Sequence, residues 1–183
     1  MKKRTLAAFM LLAVFACDAL AATLAGRVVG VSDGDTVTVL TAENRQFKIR
    51  LSGIDAPEKK QPFGAHSKET LSRQLFGQPV TVEWTKTDRY GRIVGKIEID
   101  GVDANLEQVR EGSAWVYTQY LRELPVEDRK LYIEAERLAK SERRGLWQDA
   151  LPEPPWEWRR EKRLHMSHGL ARVAAGSAGT IHA

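Results

Sequence analysis

The sequence predicts an α+β domain: a five-stranded antiparallel β-barrel with about three α-helices packed on it. Three observations predict it. Residues 24–53 hold three runs with strand patterning, one amphipathic helical segment separates them from two further strand runs, and the later patterned segments are helical. At 183 residues the chain has room for one domain with a substantial core, but not for two large ones.

The first strand run is GRVVGV and the second is TVTVL, with Asp33-Gly34-Asp35 between them. An Asp-Gly pair between alternating apolar residues is a hairpin signal, because glycine accepts the positive φ of a tight turn. Asp35 is not needed for that turn. The third run, QFKIRLSG, puts Phe47, Ile49 and Leu51 on one face and Lys48 and Arg50 on the other. Two prolines in IDAPEKKQPFG then end the ladder.

Ala65 to about Phe76 reads as a helix, with Leu71 and Leu75 at helical spacing and Gly77 and Pro79 closing it. VTVEWT and RIVGKIEI are the fourth and fifth strands. Asp103 is placed to cap a short helix through Arg110, stopped by Gly112. Pro125 opens the longest helix, whose Leu131, Ala135, Leu138 and Ala139 form the expected core-facing stripe. Leu146 and Trp147, just past Gly145, are expected to plug back into the body. Five strands in this arrangement favour an OB-type barrel, a scaffold that by itself fixes no function.

The chain ends read differently. Lys2, Lys3 and Arg4 precede LAAFMLLAVFA, and Ala19-Leu20-Ala21 supplies small residues where a signal peptidase cuts, so residues 1–21 are expected to be a secretory signal peptide. The apolar run is shorter than the roughly 20 residues of a membrane span. The expectation is therefore an exported chain, secreted or periplasmic, with no integral membrane segment after cleavage. Phe15-Ala16-Cys17-Asp18 offers a minor alternative, lipoprotein anchoring through Cys17. Cys17 is also the sole cysteine, so a chain cut at Ala21 holds no disulfide. The body is expected over residues 22–158. From Arg159 to Ala183 a Gly, Ala, Ser and His-rich tail without apolar period is expected to be disordered.

The basic pI of 9.3 comes from the ends. Of 28 Lys and Arg and 24 Asp and Glu, residues 1–21 hold three bases and one acid and the tail from Arg159 holds five bases and one acid. The body keeps 20 bases against 22 acids, a net of −2. Composition gives no support to broad electrostatic capture of a polyanion, so recognition of an anion has to come from a few placed arginines.

Five charged residues at strand ends and in turns suggest which. Singly, each is most simply a solvated surface charge. Together, Asp35 and Asp55 can hold a hard divalent cation through oxygen, Arg50 and Arg92 can clamp a phosphate, and Glu58 remains as a general base. Three of the four histidines lie in the tail and the body has no cysteine, so a tetrahedral nitrogen or sulfur zinc site cannot be assembled. Oxygen ligands point to calcium or magnesium.

The blocks SDGDTVTV, FKIRLSGIDAPE and TDRYGRIVGKI, in this order and at this spacing, resemble the staphylococcal nuclease (thermonuclease) family from about Gly26 to Trp147. The resemblance implies a calcium-dependent nuclease acting on DNA and RNA with little sequence preference. It places the metal aspartates on Asp35 and Asp55, a backbone carbonyl ligand on Ala56, where the best-known member has threonine, the phosphate arginines on Arg50 and Arg92, and the glutamate on Glu58. Tyr90 and Tyr120 would face the substrate, while a second nucleotide-facing tyrosine position falls on Thr118. Trp115 or Tyr117 would then either stack a base or pack the barrel. The implied partner is nucleic acid, preferentially single-stranded or flexible, and the default is a monomer. Two other readings remain: a non-catalytic OB-type module binding nucleic acid or a protein partner, and a calcium-stabilised structural domain. A pure binder gains nothing from three carboxylates facing a polyanion, and a structural domain gives the two arginines no task.

Overall fold

The computed structural model describes residues 22–177, with side chains as far as Met166. The expected signal segment and Cys17 lie outside the described residues. Strand β1 (Ala22–Asp33) is long enough to serve two neighbours. Its second half pairs with β2 (Thr36–Leu40) and its first half with β5 (Pro79–Thr87), both antiparallel. Register irregularities between Val28 and Gly30 and between Val31 and Asp33 bend it between the two, as barrel corners require.

β2 continues into β3 (Gln46–Leu51), and β5 into β6 (Ile93–Ile99). The barrel closes where β3 and β6 pair through Ile49↔Ile93, Arg50↔Val94 and Leu51↔Gly95. That closing pair is parallel, so the five-stranded barrel is mixed rather than wholly antiparallel. The long crossover through β4 (Ile54–Asp55), α1 (Gly64–Leu75) and β5 provides the connection that parallel neighbours need.

Alternation puts Val28, Val37, Val39, Ile49, Val82 and Ile97 inside with no exposure, and α1 lays Leu71 and Leu75 against them. α2 (Ala104–Arg110) follows the short β7 (Val102–Asp103), and its capping works as the sequence predicts: Asp103 Oδ1 accepts the Leu106 N–H at 3.0 Å. Its Asn105, fully buried, accepts from Ile97 N and donates to the carbonyls of Ser52 and Gly95, tying the end of β3 to β6.

α3 (Val126–Ser141) opens after Pro125 but buries a different stripe from the expected one. Tyr132, Ala135 and Ala139 face the core, while Leu131 and Leu138 are exposed. The tyrosine decides the rotation, because its ring is apolar and its hydroxyl finds a buried acceptor, donating to Asp103 Oδ2 at 2.7 Å. Leu146 and Trp147 plug back as expected, both buried against Ala139.

Beyond them, where the sequence offers no apolar period, the chain forms helix α4 (Pro155–Ser177). Its start is local: Pro155 occupies the first turn, Pro154 C=O accepts from the N–H groups of Glu157 and Trp158, and Arg160 pairs with Glu157 at 2.6 Å. Among the described residues no helix is long and apolar enough to cross a membrane.

Candidate active site

The β1–β2 register pairs Asp33 with Thr36 and leaves Gly34-Asp35 as a two-residue turn. Asp33 Oδ1 accepts the Asp35 N–H at 3.1 Å, which fixes the turn. Gly34 does not take a positive φ, so the expected reason for a glycine here is not the operative one. Space is the operative one: a Cβ at Gly34 would sit 1.8 Å from Ser67 Oγ and 2.8 Å from the Ala56 Cβ. The turn is thereby pressed onto α1 and the loop after β4. Asp35, 5% exposed, accepts from Thr36 Oγ1 at 3.0 Å and from the Ala56 N–H at 2.8 Å.

Arg50 leaves β3 opposite Thr36 and reaches both aspartates. Its Nη2 lies 3.1 Å from Asp35 Oδ2 and 2.8 Å from Asp55 Oδ1, while Nη1 donates to the carbonyls of Leu51 and Ile54 at 2.9 Å. Asp55, 1% exposed, is held in β4, which pairs with β8 (Trp115–Val116). Glu58 stands on the following loop, where Gln61 accepts its N–H at 3.0 Å.

Arg92 approaches from the turn between β5 and β6. Asp88 Oδ1 accepts from the N–H groups of Tyr90 and Arg92, and Oδ2 takes Arg92 Nε at 2.7 Å. Both terminal nitrogens of Arg92 carry no hydrogen bond to a described residue, and its Cζ lies 5.5 Å from the Tyr90 ring centroid. Asp35, Arg50, Asp55, Ala56, Glu58, Arg92, Tyr90 and Tyr120 therefore all line one cavity of about 690 Å³. Of the two aromatic alternatives, Tyr117 lines it too, while Trp115 packs edge-on against Trp147 at 4.2 Å.

One contributor was not singled out by sequence reasoning. Arg159 of α4 donates through Nη2 to Asp55 Oδ2 at 2.6 Å, and through Nη1 to Asp55 Oδ1 at 3.2 Å and Glu58 Oε1 at 2.8 Å. Trp156, one turn earlier, stacks on Tyr117 with the rings 3° from parallel and 5.5 Å apart. The available signal was the interleaving of Trp and Arg in WEWRR, a pattern that suits a wall facing an aromatic, anionic cavity.

Residues 48–149 match the family described as staphylococcal nuclease homologue. An uncharacterized endonuclease of Escherichia coli is 43% identical over 156 residues, 84% of this chain and 96% of its own length. An uncharacterized endonuclease of Haemophilus influenzae is 40% identical over 141 residues, 77% of this chain and 76% of its own. A micrococcal nuclease of Shigella flexneri is 39% identical over 145 residues, 74% and 80% of the two chains.

The chain belongs to the staphylococcal nuclease family. The family segment contains Arg50, Asp55, Glu58 and Arg92 and leaves out Asp35 before it and Arg159 after it. Electrostatics of the cavity follow from its burial. Burial, the nearby Asp35 charge and a hydrogen bond with Asp35 raise the Asp33 carboxyl to about 6. Burial also pushes Asp55 above the usual carboxylate range, with Asp35 adding to the push and Arg159 and Arg50 opposing it. For Arg159, burial works against the charge but the bonds to Asp55 and Glu58 outweigh it and raise its pKa.

Two such buried acids require positive charge beside them, which Arg50 and Arg159 supply here. Among the described residues no three His, Cys, Asp or Glu side chains are grouped to hold a metal ion, so side chains alone do not complete a ligand set. The donors present are nonetheless all oxygen: the Asp35 and Asp55 carboxylates, brought within reach of a single guanidinium nitrogen, and the backbone of Ala56 beside them. That set fits a hard ion such as calcium or magnesium, with water filling the remaining positions.

Proposed function

We propose that this chain is an exported, calcium-dependent nuclease that hydrolyses phosphodiester bonds of DNA and RNA with little sequence preference, magnesium being the alternative ion. The observation that carries the reading is the meeting of Asp35, Asp55, Glu58, Arg50 and Arg92 in one cavity. Family membership and relatives named endonuclease and micrococcal nuclease support a nucleic acid substrate. The pattern of residues 1–21 supports export.

Asp35, Asp55 and the Ala56 carbonyl would hold the ion. Bound there, it supplies positive charge to a phosphate oxygen. Glu58 takes the proton from the attacking water. Arg92 turns its two terminal nitrogens, which carry no hydrogen bond to a described residue, to the charge that grows on the phosphoryl oxygens, and Arg50 presents the second guanidinium beside the aspartates it spaces. Tyr90 and Tyr120, both exposed on the cavity rim, hold the flanking phosphate and nucleotide. A cleft of this kind favours single-stranded or flexible substrate, whose bases can leave the stack and meet aromatic rings.

The test is incubation of the mature protein with single-stranded DNA and with RNA, in calcium and then in excess chelator. Cleavage of both, present with calcium and abolished by the chelator, is the expected result. Cleavage indifferent to the chelator would remove the metal from the reading. Binding without cleavage would make the chain a recognition module.

A further inference from the structure

Helix α4 closes over the cavity with a single face. Trp156, Arg159 and Arg163 recur at helical spacing, and Arg159 and Arg163 line the cavity. Trp156 covers the Tyr117 ring, and Arg159 engages both oxygens of Asp55 together with Glu58. Arg159 is only one-third exposed, and its partner Asp55 is buried, so this is an enclosed, charge-assisted fork rather than a passing surface contact.

The charge arithmetic of the lining is specific. The cavity wall carries six acids and six bases, of which two bases belong to α4. Without α4 the balance is six to four, a deficit of two positive charges. One divalent cation would make it good.

We propose that α4 is a strap that seats the Arg159 guanidinium on Asp55 and Glu58 in the place of the divalent cation, so that the ion has to displace the strap to load the site. This rests on the metal reading given above. The ion and the guanidinium compete for Asp55, because both of its oxygens already accept from Arg159 and Oδ1 accepts from Arg50 as well. The base of the strap is joined to the loop it covers: Gln61 Nε2 donates to Glu153 C=O at 2.6 Å, while Gln61 Oε1 accepts the Glu58 N–H. Release of α4 therefore also frees the loop that carries Glu58. The seated Trp156 occupies one face of Tyr117, so the same movement uncovers an aromatic surface for a base.

Calcium titration by calorimetry on the full mature chain tests this, with Arg159→Ala, Trp156→Ala and Asp35→Ala as variants and amide hydrogen exchange as a second readout. A strap seated about nine-tenths of the time weakens apparent ion affinity about tenfold, and Arg159→Ala should restore that factor. Trp156→Ala changes no charge, so its tightening, smaller but measurable, reports release of the strap rather than relief of repulsion. Calcium should also speed exchange at residues 155–163 of the wild type. Calcium binding by the wild type with Arg159→Ala and Trp156→Ala no tighter would overturn the strap and leave the metal reading standing. Tightening in Arg159→Ala alone, with exchange in α4 unchanged, would reduce Arg159 to a repelling charge and overturn it as well. Wild type and Asp35→Ala equally blind to millimolar calcium would remove the metal reading and the strap together.

Discussion

Gly34→Ala is a one-methyl change that discriminates packing from backbone freedom at the turn presenting Asp35. The added Cβ would lie 1.8 Å from Ser67 Oγ, 2.8 Å from Ser67 Cβ and 2.8 Å from Ala56 Cβ. Ser67 cannot swing away freely, because it is buried on α1 and its hydroxyl donates to Ser113 C=O at 2.5 Å. The turn is also held from behind, where Gln108 Nε2 donates to Gly34 C=O at 2.7 Å. Relief therefore requires the turn and the Ala56 loop to separate, and overpacking of this kind costs about 1–3 kcal/mol. For a chain of this size, at about 2–4 °C per kcal/mol, that is a fall in Tm of about 2–12 °C. The same separation moves Asp35 from the Ala56 N–H it now bonds at 2.8 Å, and a displacement near 1 Å at a reacting centre costs about 100-fold in turnover. Gly30→Ala is the matched control, since its Cβ would meet nothing closer than Thr38 at 3.7 Å. Thermal unfolding and cleavage of single-stranded DNA read both effects. A Gly34→Ala protein with wild-type Tm and wild-type turnover would refute the reasoning.

Three further outcomes are expected. Arg92→Ala, which loses one partly exposed ion pair and leaves the core intact, should fold normally and lower turnover by about 100-fold or more, measured under saturating single-stranded DNA. Asp33→Asn keeps an oxygen to accept the Asp35 N–H but removes a carboxyl whose folded-state pKa is raised to about 6. A raised value means that the wild type enjoys its full contribution below about pH 4 and loses it as pH rises through 6. In chelator the variant should therefore match the wild type in urea unfolding near pH 4 and exceed it by on the order of 2 kcal/mol at pH 7.5; lower stability at pH 7.5 would reverse the sign and reject the account. Asn105→Ala should cost about 2–3 kcal/mol in the same unfolding assay, because it strips partners from Ile97 N–H and the carbonyls of Ser52 and Gly95 inside the barrel.

The elements that the sequence made legible are those whose cause is local. The Asp103 cap, the Leu71 and Leu75 stripe and the alternation of Phe47, Ile49 and Leu51 each need only neighbouring residues, and each appears where expected. The misreadings have non-local causes. The rotation of α3 is set by a hydroxyl on Tyr132 meeting Asp103, 29 residues earlier, so a pattern counting only aliphatic residues selects Leu131 and Leu138 instead. The parallel closure of β3 against β6 is a property of barrel topology, and nothing in either strand's own alternation announces it. Turn chemistry alone accounts for a glycine at position 34 because the hairpin is visible in the sequence, whereas Ser67, which requires the glycine, lies in another element.

The same distinction governs the site. Asp35, Asp55, Glu58 and Arg92 stand in turns and at strand ends, where polar residues have no structural reason to cluster and so draw attention when they match a chemistry. Arg159 lies 104 residues beyond Asp55 on a helix without an apolar stripe, and a chain divided at Trp158 by composition assigns it to the tail. That division is what made the body net −2. Counting α4 as part of the cavity turns an acidic pocket into a balanced one, in which every buried carboxylate oxygen of Asp35 and Asp55 accepts from a donor on the same chain. A site so satisfied is stable as it stands. On the function proposed above, its affinity for an ion and for a polyanion then depends on what it must first give up, and composition, which counts charges without pairing them, cannot express that dependence.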